Sequence, residues 1–421
     1  MLSNKSVIDF LVMFGTNLIK KIIGFAKEVI LASIFGSSLL YANFLLLRTA
    51  SDLFAQLFNG NALQASLLSK FSKLYANYDM VSLSMVNNIS KRIMLGLFII
   101  SQLVQLPIVW YINDPNNTYL FVFISIILGL ILSISFYSSV FLIIMQGKGE
   151  FQKHSFATTI DMFMSTIFLY PFSYFFGVIG ILFSRLIGFF TMIYKYLRPM
   201  FNAVEGQKAV LKIKDFSISI MLLGNFANII ILISRFVAGL GHDNNITFFN
   251  YSVVLLNALL TAVILNINTL VLAKLAIQKN LRLIFISFII ALLLGLSLVY
   301  LIDIYGFVAI QFVFQRGAFT LQDTVNTVAY AKDLSVSFIF IFIASSLFQP
   351  FFSLEQRLIK RQSNIMASIF VFSILLLLIF FQFSSFSSRE SSLIMIYTLS
   401  IVSMLLSFFS VFKYLNIKSD I

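Results

Sequence analysis

The first apolar stretch of the chain carries charged side chains at positions that a lipid bilayer would otherwise surround. Lys20, Lys21, Gly24, Lys27 and Glu28 fall at i, i+1, i+4, i+7 and i+8, which places them on one face of a helix. An ionisable group at bilayer depth costs roughly 2.5 to 3.5 kcal/mol on insertion scales, so a cluster of them needs a reason. Amines on one helix face can bind an anion if that face lines water.

The second apolar stretch repeats the pattern. Arg48, Asp52, Gln56 and Asn59 follow an i, i+4, i+8, i+11 stripe. Polar faces on two consecutive helices predict a water-filled, net-positive cavity inside a helical bundle. Two alternatives need no cavity: lysines near a helix end can extend to the lipid headgroups, and Arg48 with Asp52 can form a purely structural pair.

Composition restricts the class of protein. The chain has 421 residues, of which 60% are hydrophobic and 11% charged, whereas a soluble domain has about 25% charged residues. The absence of cysteine excludes disulfides and thiolate metal sites, and the presence of only two histidines makes a histidine metal site improbable. We find no catalytic signature, no cofactor motif and no phosphate-binding loop of the GxxxxGK[ST] form, which predicts a protein that is not an enzyme.

Apolar runs of about 20 residues recur along the chain and predict an all-α polytopic membrane protein. We expect about twelve transmembrane helices. Their predicted positions are 7–34, 39–66, 93–112, 118–146, 155–176, 178–197, 215–240, 246–275, 281–302, 324–353, 363–386 and 391–415.

The basic residues predict the orientation. With the N-terminus inside, the cytoplasmic segments carry roughly twenty lysines and arginines and the outer ones about two, as the positive-inside rule requires. Both termini are then cytoplasmic. Most of the net charge of +13 is accounted for by topology and by contact with anionic lipids, so we expect no nucleic-acid partner.

The most polar connection lies near the middle of the chain and predicts two lobes of six helices around a central cavity. The N-terminal lobe covers residues 1–198, a cytoplasmic linker covers 199–214, and the C-terminal lobe covers 215–421. A two-lobe repeat with the substrate path between the lobes is a common transporter design.

Further charges lie in the later spans. Arg185 and Arg235 occur where either a cavity role or simple extension to the headgroups is possible. We expect Asp161 to be interfacial, and Lys332 and Asp333 to neutralise each other near the outer surface.

Two motifs resemble a known family. The segment 20–38, KKIIGFAKEVILASIFGSS, is similar to the first helix of the lipid II flippases of the MviN type, which have a basic residue, then LGFxRD, an apolar run and FG at the turn. The segment 312–324, FVFQRGAFTLQDT, resembles the LFxRGAFTxxDT of that family ahead of its tenth helix. These flippases belong to the multidrug/oligosaccharidyl-lipid/polysaccharide (MOP) exporter superfamily.

The departures from the family pattern affect the expected substrate. The acidic residue after the first turn of the family falls on Ala42, an arginine pair falls on Ala55 and Gln56, and a cavity arginine falls near Ser252. Twelve predicted helices also contrast with the fourteen of typical members. A lipid carrying an O-antigen or capsule repeat unit is therefore as reasonable a substrate as lipid II.

The resemblance implies a flippase that moves a polyprenyl-diphosphate-linked saccharide to the outer leaflet of the bacterial inner membrane by alternating access, as a monomer and without a cofactor. The sequence identifies no coupling ion. For the diphosphate or headgroup we select Lys21, Lys27, Arg48 and, from the second lobe, Arg235. We expect Glu28 and Asp52 to balance and position these bases.

Other functions stay open at this point. A multidrug or cation antiporter of the same superfamily should line its cavity with carboxylates, whereas the predicted cavity here is rich in bases. A glycan polymerase or glycosyltransferase usually needs a sizeable outer loop. The longest outer connection predicted here, at about 303–323, has only Asp303 and Asp323 as acidic residues. A scaffold without transport would leave the buried bases unexplained.

Overall fold

The computed structural model describes residues 4–58, 83–201, 218–259, 281–348 and 356–419, together with the single residues 63, 67, 68, 71, 75 and 351. Within these residues all regular secondary structure is helical, which confirms the predicted all-α class. Most of the predicted linker 199–214, the second half of the predicted eighth span and Asn59 lie outside the described residues.

The helices up to residue 201 follow the predicted order. They are α1 (Asn4–Phe35), α2 (Leu39–Phe58), α3 (Leu83–Ile112), α4 (Thr118–Gly147), α5 (Phe151–Ile167), α6 (Leu169–Phe176) and α7 (Val178–Met192). A π-helical turn, Ile193–Leu197, and a short helix, Arg198–Phe201, extend α7. The predicted fifth span is thus divided into α5 and α6 at Phe168, three residues before Pro171, whose ring cannot donate a backbone hydrogen bond.

The helices after residue 201 also follow the predicted order. They are α8 (Ile218–Gly224), α9 (Phe226–Ala238), α10 (Asn245–Leu259), α11 (Leu281–Phe314), α12 (Leu321–Leu347), α13 (Gln356–Phe383) and α14 (Ser388–Ser419). Helix α11 extends twelve residues beyond the predicted end of its span, so the connection before α12 is only residues 315–320.

Seven of the described helices are long and apolar enough to cross a membrane, or eight if α8 and α9, which meet at an 80° bend, form one broken span. Helix α1 does not meet this criterion because its charged side chains are closely spaced, and α2 does not because polar residues interrupt it. Helical segments nevertheless lie at all twelve predicted positions. The chain is a multi-pass membrane protein.

The helices form two compact units. The first comprises Met1–Ile34 and Asn43–Asn225, and the second comprises Phe35–Ala42 and Phe226–Ile421. The turn between α1 and α2 therefore packs with the second unit.

Helix α4 forms the centre of the first unit. Its side chains Phe136, Val140, Phe141 and Ile144 are fully buried in the main apolar cluster. Helix α4 packs against α3, α5 and α7, and α5 also packs closely against α7. This arrangement brings one face each of α4, α5 and α7 together inside the unit.

In the second unit, α12 packs against α10, α11 and α14. Its start is fixed by a capping box, in which Thr320 Oγ1 accepts from the backbone N–H of Asp323 and the Asp323 carboxylate accepts from the backbone N–H of Thr320. Such a box satisfies two backbone donors that a helix start otherwise leaves unpaired.

The two motifs that carry the family resemblance meet at this helix start. Ser37 Oγ, in the turn after α1, donates to Asp323 Oδ1, and Tyr251 Oη donates to the carbonyl of Gly36 at 3.1 Å. Gly36 has φ of +52°, and a Cβ added there would overlap the backbone of Ala318. The conformation and the close approach both require glycine.

The expected pairing of Lys332 with Asp333 is wrong. Lys332 Nζ lies 2.7 Å from Asp303 Oδ1 on α11, and Asp333 Oδ2 lies 2.7 Å from Arg389 Nη2 on α14. Adjacent residues on a helix point about 100° apart, so each side chain pairs with a different neighbouring helix.

We predict that Gly36→Ala lowers the stability of the protein. A non-glycine residue in the left-handed region costs about 1–2 kcal/mol, and the contact with Ala318 adds to that cost. The midpoint of thermal unfolding in detergent, followed by differential scanning fluorimetry, should fall. Gly96→Ala on α3 is the control, because a Cβ at that position meets no atom within 4 Å. Equal midpoints for both variants would refute the assigned role of Gly36.

Candidate functional site

The predicted polar faces of α1 and α2 line a cavity of about 150 Å³ inside the first unit. Lys27, Arg48 and Asp52 contribute to its wall, together with Arg185 of α7 and Ser135 of α4. Three cations and one carboxylate therefore line one small space. Of the two predicted stripes, the structure brings Lys27, Arg48 and Asp52 together in this wall, and Lys21 and Gln56 are not part of it.

Arg48 occupies the centre of this group. Its Nη2 lies 3.9 Å from Glu28 Oε1 and its Nε lies 3.6 Å from Asp52 Oδ2. Both distances exceed the 2.7–3.2 Å range of an N–H···O hydrogen bond, so charge attraction is what holds the guanidinium in these two contacts. Glu28 and Asp52 thus flank the base that they were predicted to position.

Lys27 is 8% exposed, which is unusual for a lysine. Its charge interacts with those of Arg48, Arg185, Glu28 and Asp161. Among the residues that the structure describes, no carboxylate lies within ion-pair distance of the Lys27 amine. A buried amine in such a setting has given up hydration without a close counter-ion.

A second cavity, of about 270 Å³, lies in the same unit between α1, α4, α5 and α7. Lys20, Gln146, His154, Asp161 and Arg185 line it. The Lys20 amine donates to Thr158 Oγ1 at 3.1 Å, which fixes α1 against α5. Of the two adjacent lysines on α1, Lys20 lines this cavity, whereas Lys21 is half-buried and is not part of its wall.

Arg185 and Ser135 belong to the walls of both cavities, which are therefore neighbours. The basic side chains of the combined lining outnumber the acidic ones. The basic residues are Lys20, Lys27, Arg48 and Arg185, and the acidic ones are Asp52 and Asp161. With histidine neutral, four positive and two negative charges leave a formal balance of +2. The lining is suited to an anionic ligand.

Arg235, the remaining predicted site residue, lies in the second unit on α9. It is 8% exposed, and its Nη1 donates to Asn250 Oδ1 on α10 at 2.7 Å. A charge-assisted hydrogen bond of this kind orients a buried guanidinium. Arg235 is thus an interior residue, and extension to the headgroups does not account for it.

Sequence reasoning left Arg185 and Lys20 out of the selected site and placed Asp161 at the interface. The structure places all three in the wall of the larger cavity. The sequence does contain a pattern that indicates this wall, because His154, Thr158 and Asp161 follow an i, i+4, i+7 stripe along α5. Lys20 and Lys27 are also spaced at i, i+7, so they share one line along α1.

No family model and no curated protein sequence matches this chain. Solved structures do. A structure of the lipid II flippase MurJ in an inward closed conformation aligns with a TM-score of 0.70 and 19% identity, covering 97% of this chain and 89% of that one. The chain has the fold of the MOP exporters.

Other MOP structures align over similar lengths. An inward-facing multidrug resistance MATE family transporter has a TM-score of 0.61 and 13% identity over 96% of this chain and 99% of its own. A MOP superfamily transporter from Pyrococcus furiosus, whose structure is described as having a binding pocket of reverse polarity that suggests a different function, has a TM-score of 0.52 and 14% identity. It covers 97% of this chain and 94% of its own. The MOP fold thus accommodates binding pockets of different polarity.

We predict that Lys27→Met makes the protein more stable. Replacing a buried charge that has no close counter-ion by an apolar side chain of similar length removes a desolvation cost of several kcal/mol, and part of that cost should return as stability. The thermal midpoint in detergent should rise. The control is Lys153→Met, since Lys153 is 65% exposed and pairs only with the nearby Glu150 among the described residues. A lower midpoint for Lys27→Met would show that the amine serves the fold and not a ligand.

Proposed function

We propose that this protein is a flippase for a polyprenyl-diphosphate-linked glycan. The main support is the charge of the two neighbouring cavities of the first unit, which are lined by four basic and only two acidic side chains. The MOP fold, which this chain shares with a lipid II flippase structure, supports the proposal. The glycan can be that of lipid II or an O-antigen or capsule repeat unit.

The physical problem of such a flippase is the diphosphate. Moving it through about 30 Å of hydrocarbon requires replacing its hydration shell with cationic donors, while the isoprenoid tail stays in lipid. Lysine offers a mobile point charge and arginine a planar fork that matches phosphate oxygens. Lys27 and Arg48 line one cavity, so both kinds of donor are available within one unit.

The carboxylates have a different role in this proposal. Glu28 and Asp52 hold the Arg48 guanidinium at 3.9 and 3.6 Å, which is close enough to orient it without the tight hydrogen bonds of a 2.8 Å pair. An incoming phosphate then competes against loose pairs. Release follows when the carboxylates regain the guanidinium, as alternating access opens the site to the other leaflet.

Lys21 and Arg235 remain proposed headgroup ligands. Lys21 precedes Lys27 by six residues on α1, and Arg235 is buried on α9 of the second unit. The setting we propose is the bacterial inner membrane, with both termini in the cytoplasm. The direction is from the cytoplasmic to the outer leaflet, and the protein acts as a monomer.

The alternative function is that of a multidrug or cation antiporter, because the chain also shares its fold with a MATE family transporter structure. A cationic drug would need acidic side chains in the cavity. Here Asp52 and Asp161 face Lys20, Lys27, Arg48 and Arg185. Like charges in a site of low dielectric cost several kcal/mol, so the lining disfavours a cation.

Reconstitution tests the proposed function directly. Proteoliposomes carrying a fluorescent polyprenyl-diphosphate saccharide in the inner leaflet should show outward movement of the label, measured by its accessibility to an added quencher. The same vesicles loaded with ethidium should show no protein-dependent efflux. Ethidium efflux without lipid movement would establish the antiporter and reject the flippase.

We predict that Lys27→Ala and Arg48→Ala each abolish complementation of a flippase-deficient strain at normal expression. Each removes a cation from the proposed diphosphate site, and lost charge-assisted bonds to phosphate cost about 1.5–3 kcal/mol apiece. Growth under depletion of the resident flippase is the measurement. Lys153→Ala is the matched control, because its amine is exposed on α5. Wild-type growth of both cavity variants at equal protein level would remove the site assignment.

A further inference from the structure

The larger cavity of the first unit contains buried acceptors with no internal partner. Ser138 is 1% exposed and Gln146 is 4% exposed, and the Oγ of the first and the Oε1 of the second make no hydrogen bond among the described residues. Oδ1 of Asp161 is also buried and makes none. All three residues line the same cavity. A buried polar atom without a partner costs about 1–3 kcal/mol, so three among the residues of one wall mark this wall as a candidate ligand site.

The rest of this wall is fixed in place. The Gln146 amide nitrogen lies 3.1 and 3.2 Å from the two ring nitrogens of His154, and the unprotonated ring nitrogen accepts a hydrogen bond from it. The amide oxygen, Oε1, then points away from His154. An added Cβ at Gly188 of α7 would lie 2.6 Å from Asp161 Oδ1, so this carboxyl packs closely against α7.

The chemistry of these atoms restricts the ligand. The unpartnered amide and carboxyl oxygens accept hydrogen bonds, and an ionised phosphate has no proton to donate to them. A cation is disfavoured because Lys20 and Arg185 belong to the same wall. A hydroxyl group can donate to the Gln146 and Asp161 oxygens and can accept from Lys20 or Arg185. Several hydroxyls on one rigid ring match a wall that mixes donors and acceptors.

The volume is consistent with a ligand larger than an ion. A cavity of about 270 Å³ far exceeds the roughly 10–15 Å³ that one water molecule requires on the same measure. The cavity is also adjacent to the Lys27–Arg48 cavity, since Arg185 and Ser135 belong to both walls. A ligand that bridges Arg185 would present its anionic part to one side and its hydroxyls to the other.

We propose that this cavity, with Ser138, Gln146 and Asp161 as its acceptors, binds the sugar attached to the diphosphate. This inference rests on the proposed function, because the neighbouring Lys27–Arg48 cavity is taken as the diphosphate site. It adds to that function a glycan subsite within the first unit, in which Arg185 lies between the two parts of the headgroup. Lys20 and Arg185 act there as donors to sugar oxygens.

The test compares a bare lipid with its glycosylated forms. Wild-type protein in nanodiscs is titrated by native mass spectrometry with undecaprenyl diphosphate and with the same lipid bearing either one hexose or one N-acetylhexosamine. We expect at least one glycosylated lipid to bind more tightly than the bare diphosphate. Ser138→Ala and Gln146→Leu should each reduce that advantage by roughly three- to tenfold, the effect of one hydrogen bond, and leave the bare lipid unaffected.

Two variants serve as controls. Gln105→Leu changes another buried glutamine of the first unit that lies outside both cavity walls and donates to Ser101. It should not alter the sugar-dependent difference. Arg48→Ala should weaken all three lipids equally, because it acts on the diphosphate. Ser138→Ala removes a hydroxyl that has no hydrogen-bond partner among the described residues, so the thermal midpoint should not fall and a loss of sugar binding cannot be due to unfolding.

The outcomes separate the two proposals. Equal affinity for bare and glycosylated lipids overturns the glycan subsite, and so does an unchanged affinity difference in Ser138→Ala and Gln146→Leu. Either result leaves the proposed function intact and means that water alone occupies this cavity. Absence of binding for all three lipids overturns the proposed function and the subsite with it. A selective loss of the sugar-dependent affinity in the two variants supports both.

Discussion

The first unit depends on one constraint, which is that one buried cation and several half-buried ones lie inside a largely apolar helical bundle. Lys27 is 8% exposed and lies in the wall of a small cavity with Arg48 and Arg185. Such charges are costly at membrane depth unless water, a counter-ion or a ligand replaces bulk hydration. The loose pairing of Arg48 with Glu28 and Asp52 offsets part of this cost and leaves the lining net positive. The charges that reduce the stability of the fold therefore lie in the lining that is suited to an anion.

The helices hold this lining open by dividing their surfaces between apolar contacts and small polar residues. Helix α4 shows the division, since Phe136, Val140 and Phe141 fill the core while Ser135 and Ser138 face the cavity. Small hydroxyl side chains line a cavity without filling it, and they add donors and acceptors. The same helix thus builds the core of the unit and one wall of its polar space.

Much of this fold can be read from the sequence, because apolar runs of the length of a bilayer leave few alternatives to a helix. The polar stripes of α1 and α2 also predicted the group that contains Lys27, Arg48 and Asp52. Stripes specify a face, but they do not specify which neighbouring helix that face meets. That is why Lys332 and Asp333 were expected to pair with each other, whereas each binds a residue on a different helix. Partners across helices depend on packing, which spacing along one helix cannot supply.

The family motifs illustrate a second limit. The glycine-containing turn after α1 and the RGAFT segment before α12 were recognisable in the sequence as separate patterns, and in the structure they form one contact, through Gly36, Ala318 and Asp323 of the second unit. The first motif also contributes Lys20 and Lys27 to the cavity walls of the first unit, whereas the residues around Gly36 and Ala318 line neither cavity. The segments around Gly36 and Ala318 therefore specify how the chain folds. Inferences about the ligand therefore rest on the charge balance and the unpartnered oxygens of the cavity walls.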